Sequence, residues 1–311
     1  MPRTIIVPLD TSPGAEAALP VAEALARRID GELLLLSVIE APSEFAVWLR
    51  AEETIDAWVD HHIEVDRYLT GIADGFSGLL VETSVTTGNP APEIADAAGG
   101  YPEPVIVMVS HARTGLERLA IGNVAAAVLH NVACPVIVVR ASEEAAEPRP
   151  VESLDRLLVA LDGSEFAEQA LEQARAVLGA SGLTIHLVRV VETSKWYGST
   201  NVGLDFAAQQ MYVEAGRETA SEYLEAAADR LRQAGNDVTW EVDTGLVAER
   251  INEAAAERDA GLIVMSTHGR TGLGRVFIGS VAERVIQHAD RPVFLVHPDT
   301  YSTQITQVST A

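Results

Sequence analysis

A chain that copies a unit of about 150 residues must fold as two versions of one domain, and this constraint outranks every other feature of the sequence. Ile5-Ile6-Val7-Pro8-Leu9-Asp10 returns 152 residues later as Leu157-Leu158-Val159-Ala160-Leu161-Asp162. Gly88 and Gly245, His111 and His268, Gly122 and Gly279, and Pro135 and Pro292 are each 157 apart. The five-residue excess of the second copy is expected in the stretch 193–206, between its second and third strands. The period is too long for a solenoid, whose small repeats cannot bury a core alone. The 311 residues are therefore divided into a first domain at 1–140, a linker at 141–153, a second domain at 154–298 and a polar tail at 299–311. The linker is acidic and carries Pro148 and Pro150, as boundaries between independent cores commonly do.

Within each copy, short β-branched runs alternate with longer stretches rich in Ala, Leu and Glu. In the first copy the expected strands are Thr4–Leu9, Glu32–Val38, Val81–Thr86, Pro104–Val109 and Val136–Val139. Near-continuous apolar runs are the mark of strands covered on both faces. The stretch Ala15–Arg28 reads as a helix with Ser12 as N-cap and Pro13 in its first turn, and Ser164 opens Glu165–Leu178 in the same way. Strand and helix alternating in this way imply an α/β fold: two tandem doubly wound domains, Rossmann-like, each built on a five-stranded parallel sheet with right-handed crossovers.

Charge and composition then exclude several functions. Forty-five Asp and Glu against 22 Lys and Arg leave a net charge of −23. Such a surface repels polyanions, so neither nucleic acid nor an anionic membrane is expected as a partner. No apolar run approaches the 18 or so residues that cross a bilayer, and the amino terminus lacks the pattern of a signal peptide. Cys134 is the only cysteine, which rules out an internal disulfide and suits a reducing, cytoplasmic compartment.

In open parallel sheets, ligands bind beyond the carboxyl ends of the strands. In the second copy those ends carry Asp162-Gly163-Ser164, then Val190-Val191-Glu192, then Ser266-Thr267-His268-Gly269. The last loop runs on through Arg270 and Arg275 to Gly279-Ser280, which opens a helix over Val281–His288. Helix N-terminal N–H groups and the positive end of the dipole suit a phosphate, and a glycine there lets it approach the backbone.

The pattern Ser266-Thr267-His268-Gly269, nine residues, then Gly279-Ser280-Val281-Ala282-Glu283-Arg284-Val285 resembles the universal stress protein family, as does each half as a whole. The resemblance implies strand order 3-2-1-4-5. It also implies a Gly-x-x-Gly-x9-Gly-(Ser/Thr) phosphate loop in the ATP-binding members, an acid after strand one and a valine near the end of strand two. Carried over, it implies that Asp162 and Val190 border adenine and ribose, and that Ser266, His268, Gly269, Gly279 and Ser280 belong to the phosphate loop. The cofactor would be ATP, alone or with Mg2+. Ser266 departs from the first glycine. The first half departs further: Asp10 and Val38 match, but Val109 and Ala112 replace the leading glycines, and Gly122 is followed by Asn123. It is expected to bind nucleotide weakly or not at all. The resemblance further implies a stress-responsive regulator rather than an enzyme, at most a slow ATP hydrolase. It also suggests that the last strands of the two halves meet, so that one chain mimics a dimer; further homo-oligomers are left open.

Plainer readings of the same residues stand beside these. Asp10 and Asp162 suit acids that order a turn, Gly279-Ser280 an ordinary helix start, and His111 and His268 polar loop residues rather than bases. Arg270 and Arg275 fit a solvated loop as well as a phosphate. Trp196–Thr200 reads as a surface loop or as a lid over adenine. No catalytic residue is assigned. Walker and dinucleotide fingerprints are missing, and no spacing suggests a metal site; His61-His62 is placed on an exposed helix face. Cys134 reads as a small core-filling thiol. A nucleotide-free scaffold acting through sheet edges is the remaining alternative.

Overall fold

The computed structural model describes residues 2–40, 52–110, 121–140, 154–193, 202–267 and 278–297. The expectations for His111, Ala112, Trp196–Thr200, His268, Gly269, Arg270, Arg275, the linker and the tail fall outside them. Two compact units are found, one ending at Pro150 and the other spanning Val151–Pro298. The first runs β1 (Thr4–Pro8), a 3-10 turn (Ala15–Ala18), α1 (Leu19–Ile29), β2 (Glu32–Ile39), α2 (Glu52–Ala73), β3 (Val81–Thr87), α3 (Pro90–Gly99), β4 (Val105–Ser110), α4 (Asn123–Asn131) and β5 (Val136–Arg140). The second runs β6 (Arg156–Ala160), α5 (Glu165–Leu178), β7 (Thr184–Glu192), α6 (Val202–Gln233), β8 (Asp237–Gly245), α7 (Val247–Glu257), β9 (Leu262–Ser266), α8 (Ser280–His288) and β10 (Val293–Val296). Strands lie in the order β3-β2-β1-β4-β5 in one unit and β8-β7-β6-β9-β10 in the other. Every described pairing within a unit is parallel.

The central strands are buried on both faces, as their apolar runs require. Ile5, Ile6 and Val7 of β1, Leu158 and Val159 of β6, and Ile263 and Val264 of β9 are all fully buried. Phe294 of β10 is the bulkiest side chain with no exposed surface. Helices cover these faces with stripes at helical spacing; α5 buries Ala167, Ala170, Leu171, Ala174, Val177 and Leu178.

Three details depart from expectation. The helix expected over Ala15–Arg28 is broken into the 3-10 turn and α1. An unbroken α-helix would need the N–H of residue 20 to reach the Glu16 carbonyl, and Pro20 has none. Pro20 instead falls in the first turn of α1, where no such donor is needed. Second, β3 is not continuously apolar: it lies at the end of its sheet and none of its residues is fully buried. Third, the five extra residues of the second unit are not confined to 193–206. Tyr68 of α2 meets Glu16, and its counterpart Tyr223 of α6 lies beside Glu168, a spacing of 155 that falls between 152 before and 157 after. Three extra residues therefore precede that tyrosine and two follow it. An amphipathic helix absorbs such insertions by lengthening while its inward side chains keep their places, and α6 has 32 residues against 22 in α2.

Candidate functional site

Sheet register sets which side chains stand at the carboxyl rim. Val159 pairs with Leu187 on one side and Val264 on the other. Three residues further along each strand, Asp162, Val190 and Thr267 therefore share one level. The same counting from Val7, Leu35 and Val107 brings Asp10, Val38 and Ser110 to one level in the first unit. In the second unit the rim is tied together by the Leu161 N–H donating to the Val188 carbonyl at 2.9 Å.

Asp162 leaves β6 in a turn that it stabilises itself. Its Oδ1 accepts from the Ser164 N–H at 2.9 Å and from Ser164 Oγ at 2.6 Å. Ser164 Oγ in turn accepts from the Ala167 N–H at 3.2 Å, which caps α5. Asp10, Ser12 and Ala15 repeat the arrangement at 3.1, 2.6 and 3.3 Å. Both acids thus order a turn, and one carboxylate oxygen of each is engaged in doing so. Asp162 is half-buried and Asp10 exposed. Between acid and serine the backbone is left-handed: Gly163 has φ +84°, while Thr11 holds φ +62° as a strained β-branched residue. A Cβ on Gly163 would lie 3.2 Å from the Arg189 guanidinium, which also covers the Tyr223 ring at 5.2 Å. Burial, with Glu168 beside it, pushes the Tyr223 hydroxyl well above its ordinary range. This Arg189–Tyr223–Glu168 group was missed in the sequence, because nothing in local spacing links β7, α5 and α6.

The stem of the phosphate-loop candidate is closed. Thr267, buried, donates its N–H to the Val296 carbonyl at 3.1 Å, and its own carbonyl accepts from the Gly279 N–H at 2.8 Å. Gly279 is the N-cap of α8, with φ −58° and ψ 142°, a conformation open to any residue, and it supplies no capping side chain. The helix begins at Ser280, one residue before the expected Val281, and Ser280 is exposed. Gly122 caps α4 in the same conformation, followed by exposed Asn123. Ser266 ends β9, half-buried and paired with Val296.

Two clefts flank these rims. A cleft of about 650 Å3 in the first unit is walled by Glu40, Gly88, Asn89, Asn123 and Val124 among others, and by no described Lys or Arg. In the second unit, Glu241, Asp243, Glu253 and Glu257 surround Arg250 in a groove of about 260 Å3. Two of its carboxylates are closely paired: Arg250 holds Glu253 at 2.8 Å, and Arg258 holds Glu241 at 2.7 Å. Among the described residues no group of three potential ligands could hold a metal ion. His61 is exposed as expected, but His62 is half-buried, with Nε2 3.0 Å from Thr87 Oγ1.

The universal stress protein family model matches residues 1–140 and again 153–297. The chain belongs to the universal stress protein family. Some curated relatives match along nearly the whole chain and others along about half of it. Universal stress protein Rv2623 of Mycobacterium tuberculosis is 28% identical over 309 residues, covering 94% of this chain and 95% of its own. A single-length relative, universal stress protein MJ0531 of Methanocaldococcus jannaschii, is 31% identical over 141 residues, 45% of this chain and 81% of its own. A universal stress protein from Archaeoglobus fulgidus superposes with a TM-score of 0.62 at 24% identity, covering 94% of this chain and 96% of that one. A protein of the same description from Pseudomonas aeruginosa gives 0.61 at 18% identity, over 99% and 98%. At these identities the solved structures speak to the fold. No described helix of this universal stress protein is long and apolar enough to cross a membrane.

Proposed function

We propose that this universal stress protein is a cytoplasmic regulator that binds an adenine nucleotide, ATP with or without Mg2+, chiefly in its second unit. The observation that carries the reading is the start of α8. A nine-residue helix opens at the sheet rim on a glycine whose backbone conformation does not demand glycine and which brings no side chain to cap the first N–H groups. The first N–H groups of such a helix and its positive dipole end favour phosphate oxygens, and the missing Cβ leaves room for them. Asp162 and Val190, level with Thr267 by register, border the place where base and sugar would lie. His268, Gly269 and Ser266 complete the loop that the family resemblance assigns to the phosphates. Asp10, Val38, Gly122 and Asn123 would form a weaker counterpart. There an anion would share its cleft with Glu40 and meet no described cation.

Regulation requires that the nucleotide bind one conformation or assembly better than another. The test is calorimetric titration of ATP into the wild type and into Gly279→Val and Gly122→Val. One site per chain is expected, abolished by a valine at 279 and retained with one at 122. Two equivalent sites would refute the asymmetry, and unaltered binding to Gly279→Val would refute the site.

A further inference from the structure

The two units end in edge strands that are finished in opposite ways. In β8 the Asp237 N–H donates inward to the Leu183 carbonyl. Strand alternation then turns the backbone of Val238, Trp240, Val242 and Thr244 outward. That outer edge is blocked at both ends. Arg232 places Nε and Nη2 on the Val238 carbonyl at 3.1 and 2.7 Å, and the Thr244 N–H donates to Asp243 Oδ1 at 2.6 Å. The strand also carries three acids, Asp237, Glu241 and Asp243. Charges and occupied edge groups are how proteins keep a sheet from extending onto another chain.

β3 lacks the blocked edge groups and carries a single acid. Leu33 N–H donates to the Leu80 carbonyl and Gly88 N–H to the Ile39 carbonyl, so the even-numbered residues face β2. The backbone N–H and C=O groups of Val81, Thr83, Val85 and Thr87 face outward and have no hydrogen bond among the described residues. The strand reads VETSVTT, with Glu82 as its one charge. Beside it Leu80 is 64% exposed, and Val59 and Ile63 of α2, which flank the His62 that touches Thr87, are about half exposed.

We propose that β3 is a self-association edge, on which β3 of a second copy pairs antiparallel across a two-fold axis. The strand is complementary to itself. With the axis at Ser84, Thr83 lies opposite Val85 and Val81 opposite Thr87, so every outward group finds a partner. Glu82 then faces Thr86 rather than another Glu82, which avoids like charges in direct opposition. In a chain of net charge −23, a nearly uncharged edge is where two copies can approach. Long-range repulsion still opposes the encounter, so salt should strengthen the dimer. The screening length falls from about 30 Å at about 0.01 M salt to about 8 Å at about 0.15 M.

Hydrogen–deuterium exchange of the wild type across a concentration series, with sedimentation velocity at both ionic strengths, tests this directly. Expected are a dimer favoured by salt and concentration-dependent protection of the amides of Val81, Thr83, Val85 and Thr87, with those of Trp240 and Val242 unchanged. A protein that stays monomeric at every concentration, or protection that appears on β8 instead, overturns the proposal. Val85→Pro removes an outward N–H without touching the ladder to β2 and is expected to abolish the dimer. Val242→Pro makes the same change on β8 and should leave it intact, and the reverse outcome also overturns the proposal.

Discussion

His186 shows how one residue couples packing to pH. It is buried on β7, with Nδ1 2.8 Å from Thr239 Oγ1, and Nε2 3.2 Å from Glu241 Oε1 outside hydrogen-bond geometry. Burial lowers its pKa below 6.5, Glu241 pulls it back, and Arg258 opposes Glu241. Glu241 itself, although partly desolvated, is held below the usual carboxylate range by Arg258 and His186. Because the unfolded chain takes up the proton more readily than the folded one, stability is full above pH 6.5 and falls as pH drops from there toward the lower folded value. The slope is at most about 1.4 kcal/mol per pH unit for one proton. Thermal melts of His186→Gln between pH 7.5 and 5 should show a shallower loss than the wild type; parallel curves would remove His186 from the account. Cys134 has the opposite character: burial pushes its thiol up to about 12, the inert core-filling role its sequence context suggested.

Helix starts show what a few residues decide at the scale of an element. The Asp-x-Ser turn appears in both units, yet α5 is unbroken from Glu165 whereas its counterpart begins as a 3-10 turn because Pro20 interrupts the hydrogen-bond chain. Ser164 should therefore carry more helix than Ser12. Ser164→Ala is expected to cost about 1 kcal/mol, typical of a lost N-cap, and Ser12→Ala less, as measured by chemical denaturation. The start at Ser164 was legible in advance because capping is local chemistry, whereas the cap expected at Ser12 is not met: α1 begins at Leu19 with Ala18 as its N-cap. The open outer backbone of β3 was not legible, since which of its N–H and C=O groups face away from β2 depends on the register between the two strands. The division of the five extra residues was equally hidden until Tyr68 and Tyr223 were seen against Glu16 and Glu168.

At the scale of the whole molecule, a ligand bound only by the folded second unit would stabilise it by mass action, about 2.7 kcal/mol at a hundredfold excess over Kd. Calorimetric scans with and without ATP should show that gain in the wild type and lose it in Gly279→Val; equal gains in both would place the nucleotide elsewhere. The sequence by itself determined the duplication, the parallel α/β class, the family and the acidic character. It could do so because hydrophobic periodicity, turn chemistry and repeated spacing are properties of neighbours along the chain. Only the tertiary structure decided that Asp162, Val190 and Thr267 stand level, that Thr267 clamps Gly279, that Arg189 lies under Gly163, and that one outer strand is capped while the other is open. Those facts depend on sheet register and on contacts between residues far apart in the chain, which no local pattern encodes.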